Sequence, residues 1–223
     1  MSDAYKFLLV RSARKTLVME IKEDGSLVVR SPRHTDIERI RQFVTANGKW
    51  IERKRKSIMA RPIPKHKTFT EGEEFLFQGR NYPLHLDETI ARIEILNGQL
   101  AFPRQWLDKA AVKLIEWYIC QAQTYLDERC LHFAGLIGVT IKGCRISNPE
   151  RRWGSCGTSG KLSFNWRLIM APQEVFDYVI VHEMTHIKIF NHSPEYWDAV
   201  GKVCPNFKQY KAWLKANKFR LLI

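Results

Sequence analysis

His182, Glu183 and His186 sit in the run His-Glu-Met-Thr-His, and a further histidine, His192, follows six residues later. Two histidines four apart on a helix lie about 40° apart around its axis and project from one face. Neutral imidazoles placed that way share one zinc ion, and a third ligand beyond the helix end leaves one tetrahedral position for water. Glu183 then stands beside that water, where a carboxylate can take its proton. The pattern predicts metal-assisted hydrolysis and not metal storage. His192 is the expected third ligand, with Glu195 and Asp198 as competitors for that place.

The flanking residues say how these side chains are positioned. Pro172 opens a stretch in which Val175, Phe176, Val179, Ile180 and Glu183 recur at helical spacing. The run is apolar on most sides, so the helix is expected to be buried. Imidazoles and a carboxylate at its end then need a partner, because unpaired burial is costly. The helix is expected to stop near Phe190 or Asn191. Ser193-Pro194 reads as an N-cap and first helical residue of the next one. Upstream, Glu150–Cys156, a Gly/Ser/Thr turn and Lys161–Leu168 predict a hairpin whose return strand leads into the metal helix. An unpaired edge there would hold an extended peptide by strand addition. Arg151 or Arg152 would clamp an anion or, like Tyr196, stabilise charge on a tetrahedral intermediate. The plainer alternative is a structural hairpin with Trp153 and Trp166 in the core.

The chain has 223 residues and a net charge of +13. Its apolar runs are far too short for a membrane span, and Arg11 interrupts Phe7–Val10, so no secretory signal is expected. Five scattered cysteines without a CxxC pair point to reduced thiols in a cytoplasm. Two acid-free basic groups stand out. One is Arg53–Lys56 with Arg61, Lys65 and Lys67; the other is Lys202, Lys208, Lys211, Lys215, Lys218 and Arg220. Such groups attract nucleic acid through counterion release or form a solvated face. No zinc finger, RNA-binding aromatic signature or clear helix-turn-helix accompanies them.

Strands are expected at Tyr5–Arg11, Thr16–Lys22 and from Leu27, then one helix from Asp36 to about Met59 that Asn47-Gly48 breaks or bends. Arg61–Pro64 reads as an extended linker in a weak boundary at 61–70. Further strands at Glu74–Phe77, Arg80–Leu86 and Ala91–Ile95 are separated by turns at Gln78-Gly79 and Asn97-Gly98. A long helix follows Pro103 to about Phe133, with Leu107, Ala111, Leu114, Tyr118, Ala122 and Tyr125 as its buried stripe. Val139-Thr140-Ile141 is the next predicted strand.

With Arg152–Cys156, Asn165–Leu168, His182–His186, Asn191–Pro194 and Trp197 in view, most of the chain resembles the YgjP-like metal-dependent hydrolases, a zincin-like branch related to the SprT-type proteases. The resemblance implies an α+β fold, with a zincin-like metallopeptidase core at 104–223 behind an N-terminal β-rich region with one helix at 1–103. It implies one zinc ion at His182, His186 and His192, with Glu183 as catalytic base. The substrate-side candidates are Arg151, Arg152, Trp153, Asn165 and Tyr196. A peptide or protein is the leading substrate class. Nucleotide pyrophosphatase activity is also attributed to the family. A nucleic-acid-binding protein with structural zinc is the third reading, disfavoured because structural zinc normally has four protein ligands.

Overall fold

The computed structural model describes residues 5–22, 24–59 and 67–222. It is an α+β protein of two compact units, Met1–Ile63 and Pro64–Ile223. The expected boundary at 103/104 differs from this division. Strands of residues 74–103 share one apolar core with the helices that follow, including Phe75, Leu84, Phe102, Leu114 and Tyr118. The anticipated linker, Arg61–Pro64, and the basic residues Arg61 and Lys65 lie outside the described residues.

In the first unit, β3 (Leu27–Pro32) is central, parallel to β1 (Leu8–Ser12) and antiparallel to β2 (Val18–Ile21). The single helix expected from Asp36 to Met59 is two: α1 (Ile37–Ala46), capped by Asp36, and α2 (Gly48–Met59). Asn47 breaks it by donating its side-chain amide to the Phe43 carbonyl. Ile40, Val44, Ile51 and Ile58 then pack with Leu27 and Val29.

The second unit opens with β4 (Glu74–Phe77), β5 (Arg80–Asp87), β6 (Glu94–Leu96) and β7 (Gln99–Pro103), in the order β4-β5-β7-β6. Gln78-Gly79 and Asn97-Gly98 both have positive φ at both residues, the backbone that two-residue hairpin turns need. The first turn also orients the chain entering the site. Its backbone N–H groups at Gln78 and Gly79 donate to the carbonyls of Ile169 and Met170. A Cβ at Gly79 would lie 2.9 Å from Pro172, so only glycine lets the hairpin press there.

The long helix α3 runs from Ala110 to Ile137 and ends at Gly138 in the left-handed conformation. A 3-10 turn at Arg104–Lys109 precedes it, and Leu107 is exposed there, as is Ala111. The stripe is instead Ala110, Leu114, Tyr118, Ala122, Leu126, Cys130 and Phe133. Tyr125, also expected in it, is half-buried against the core. The predicted strand at Val139–Ile141 does not form, because the Val139 N–H serves the helix cap by donating to Ala134. The strand there is β8 (Cys144–Ser147), parallel to β10 (Leu162–Asn165), which also pairs antiparallel with β9 (Gly154–Cys156).

After a 3-10 turn at Trp166–Met170 come α4 (Gln173–Thr185), α5 (Pro194–Val203) and α6 (Phe207–Asn217). Asp177 of α4 ties to α3 by accepting from Arg129 through both oxygens, at 2.9 and 2.6 Å, and from the Tyr125 hydroxyl at 2.8 Å. All five cysteines are free thiols. No helix of the described residues is long and apolar enough to cross a membrane.

Candidate metal centre

Helix α4 ends at Thr185, with His186 as its C-cap, and not near Phe190 as expected. The early stop lets the chain turn back. Ile187, Lys188 and Ile189 donate to carbonyls of Met184 and Thr185, and α5 starts afresh where the Ser193 hydroxyl accepts from the Tyr196 N–H. His192, in the return, comes to face the helix. Its Nε2 lies 3.3 Å from Nε2 of His182 and 3.2 Å from Nε2 of His186.

These distances suit one cation. A tetrahedral zinc with bonds of about 2.05 Å sets its ligand nitrogens about 3.3 Å apart. The His186 tautomer agrees. His186 Nδ1 faces the Ile189 carbonyl at 3.0 Å, so that nitrogen carries the proton and Nε2 presents a lone pair. His182 is pushed down to about pH 3 by burial, then by His186, His192 and Lys211, and His192 is lowered by burial. Neutral imidazoles with converging lone pairs repel unless a cation joins them. The residues therefore fit a metal ion; Glu195 and Asp198, the competing third ligands, are not in the cluster among the described residues.

The surroundings lock the rings. Tyr196 is fully buried, stacks on His186 with centroids 4.5 Å apart, and donates its hydroxyl to the His182 carbonyl at 2.8 Å. Trp197 stacks on His192, and Lys211 sits 4.2 Å over the Trp197 ring.

Glu183 is 8% exposed and shares a cleft of about 270 Å³ with Cys156, Thr158, His186, Phe190 and His192. Burial raises its carboxyl to about pH 7, against the lowering pull of Arg152 and the Cys156 N–H. That range suits a group that must both take and release a proton. Its seat is formed by β9: a Cβ on Gly154 would lie 2.6 Å from Glu183 Cγ and 2.8 Å from Oε1.

The substrate-side candidates divide. Arg152 is exposed and close enough for its charge to act on Glu183, while Arg151 is exposed and does not line the cleft among the described residues. Asn165 is buried. Its amide donates to the carbonyls of Pro149 and Arg152, and its Oδ1 caps Arg167, so it fastens the loop from behind. Trp153 is half-buried against the core, and Trp166 is buried. The hydroxyl of Tyr196 points into the His182 backbone and not toward the cleft. The return strand β10 lies in mid-sheet, paired on both sides, so the edges are β8 and β9, and of these β9 lies against Glu183. Sequence reasoning missed Gly154, Thr158 and Phe190. Gly154 stood inside the Arg152–Cys156 stretch with no role assigned to it, whereas an apolar Phe190 between His186 and His192 was a visible oddity; it is 75% exposed.

Three imidazoles suited to a cation beside a buried carboxylate define a metal-dependent hydrolase. A family model described as YgjP-like, metallopeptidase domain, matches residues 15–217, and the chain belongs to that family. No curated protein matches it. Among solved structures it is similar to the metallopeptidase zymogen of Pyrococcus abyssi abylysin, at 20% identity and a TM-score of 0.39, over 41% of this chain and 92% of that one.

Proposed function

We propose that the protein is a zinc-dependent peptidase in which His182, His186 and His192 hold the ion and Glu183 is the general base. The observation that carries this reading is the Glu183 carboxylate, buried in the same cleft as the imidazoles and seated on β9. When bound, zinc supplies Lewis acidity, acidifying water and polarising a scissile carbonyl. Glu183 takes the proton of the attacking water and passes it to the leaving amine. Arg152, whose positive charge acts on Glu183, is the residue we assign to stabilising the developing negative charge.

A peptide substrate is favoured over a nucleoside triphosphate. The short edge strand β9 runs beside Glu183 and offers backbone groups for an extended chain.

The test compares zinc-loaded wild type with Glu183→Gln on a quenched-fluorescent peptide library, with a nucleoside triphosphate panel read by pyrophosphate release. Zinc-dependent peptide cleavage that disappears in the variant supports the reading. Equal cleavage by both proteins removes Glu183 from the mechanism, and pyrophosphate release without peptide cleavage transfers the site to phosphoanhydrides.

A further inference from the structure

We infer that the first unit is a nucleic-acid docking module that grips the phosphodiester backbone through the outward face of α2. The charge is unevenly divided. Residues 1–63 contain fifteen Lys and Arg against seven Asp and Glu, a net +8 out of +13 for the whole chain.

Helix α2 concentrates this excess. Ile51 and Ile58 face the unit's own core. Lys49, Arg53, Lys54 and Lys56 are exposed on the remaining surface. Its one acid, Glu52, accepts the Tyr5 hydroxyl at 3.0 Å. Elsewhere in this unit cations do find acids: Lys22 and Arg30 both lie against Glu20. Among the described residues, no acid is paired with the four α2 cations. They span about 10 Å of helix axis, a length over which one strand of B-form duplex sets about three phosphates. Four exposed cations set against the single carboxylate of Glu52 make the electrostatic footprint of a polyanion site.

Trp50 decides between polyanions. It is 37% exposed and lies one helical turn from Lys54 and Arg53. An exposed indole among cations is a platform on which unstacked bases lie. An anionic membrane would attract the same cations, but α2 has no free apolar face to insert, because that face is occupied by the core. The basic run anticipated from the sequence continues to Lys67, but Lys67 donates to the Glu74 carbonyl and lies 3.8 Å from Glu73, so it is left out of the site.

The site concerns a different unit from the metal centre, so its test does not depend on peptidase activity. The full chain is titrated into labelled 20-nucleotide single-stranded DNA, single-stranded RNA and the DNA duplex, by anisotropy at 50–200 mM salt. The variant Lys49→Gln/Arg53→Gln/Lys54→Gln/Lys56→Gln removes only exposed charges, and circular dichroism checks its fold. Its Kd is expected to weaken at least tenfold, and its log Kd against log salt slope to fall by about 3, at roughly 0.7–0.9 per phosphate contact. Trp50→Ala is expected to weaken single-strand binding more than duplex binding. A control, Lys208→Gln/Lys215→Gln/Lys218→Gln/Arg220→Gln, removes as many exposed charges from the other unit and is expected to lose less than the α2 variant. Equal losses in both variants, an α2 variant with unchanged affinity and slope, or binding to phosphatidylserine vesicles without oligonucleotide binding at 50 mM salt would each overturn the inference.

Discussion

Replacing Gly154 by alanine isolates the contact on which Glu183, the proposed general base, depends. The added Cβ would stand 2.6 Å from Glu183 Cγ, 2.8 Å from Oε1 and 3.0 Å from Cδ. Carbon atoms pack at about 3.5–4.0 Å, so one side must retreat by about 1 Å. The backbone of β9 is paired with β10 at this residue, and α4 is buried from Val175 to Val181 apart from half-buried Asp177. The Glu183 side chain is the softer partner and should move. Gly154 is not among the glycines with positive φ, so alanine brings no backbone strain of its own. Holding a carboxylate off its rotamer costs about 0.5–1.5 kcal/mol of stability. A displacement of about 1 Å at a reacting group costs on the order of 100-fold in rate. The expected result is kcat/KM on a cleaved peptide down by about 100-fold, with zinc content by mass spectrometry unchanged and Tm lowered by only a few degrees. A folded, zinc-loaded Gly154→Ala protein that cleaves at the wild-type rate would show that the seat does not position the base. Loss of zinc would show that β9 supports the ligands as well, contrary to the geometry.

Tyr196→Phe leaves the His182 carbonyl without its hydroxyl partner and should cost about 1–2 kcal/mol of stability. Chelator competition should show zinc held up to about tenfold more weakly, while kcat at saturating zinc stays near wild type; a large fall in kcat there would place the hydroxyl on the substrate. Asp177→Ala strands Arg129 between α3 and α4. With the two side chains 25% and 18% exposed, the loss should be about 2 kcal/mol, read as roughly 4–8 °C in Tm; a shift under 1 °C would mean the clamp is solvated. Burial raises the Tyr118 and Tyr125 hydroxyls above their ordinary value near 10, Tyr125 with help from Asp177. The folded state therefore keeps protons that the unfolded chain loses. This contribution is complete below pH 10 and declines as pH rises toward the folded values. Tm should fall steadily from pH 10 to 12, and a flat profile would contradict the burial.

What was legible in the sequence was whatever local chemistry dictates. The convergence of His182, His186 and His192, the Ser193-Pro194 helix start and the glycine turns after Gln78 and Asn97 each rest on residues within a few positions of one another. The misread features are settled by distant partners. Val139-Thr140-Ile141 has the β-branched composition of a strand, but β10 pairs with β8, five residues on from Val139, where Leu162 meets Cys144. The same pairing buries both edges of β10, which no pattern within Lys161–Leu168 reveals. Asn165 and Tyr196 are polar residues near the motif, and sequence alone cannot tell a side chain facing substrate from one holding the loop or the ligand backbone. Gly154 is a glycine among other loop glycines until Glu183 is seen against it.

The two halves of the site consequently differ in how they are built. All three imidazoles come from eleven consecutive residues, and the turn that fixes the His186 tautomer through Ile189 is the one that returns His192. Glu183, the proposed base, comes from the same helix, but its placement is imposed by β9, about thirty residues earlier in the chain. Metal affinity should therefore track changes within 182–197, where Tyr196 and Trp197 back the rings. Hydrolytic rate should track changes in β9 as well. Substitutions that separate the two quantities are expected at Gly154 and Arg152, because both act on the Glu183 carboxylate.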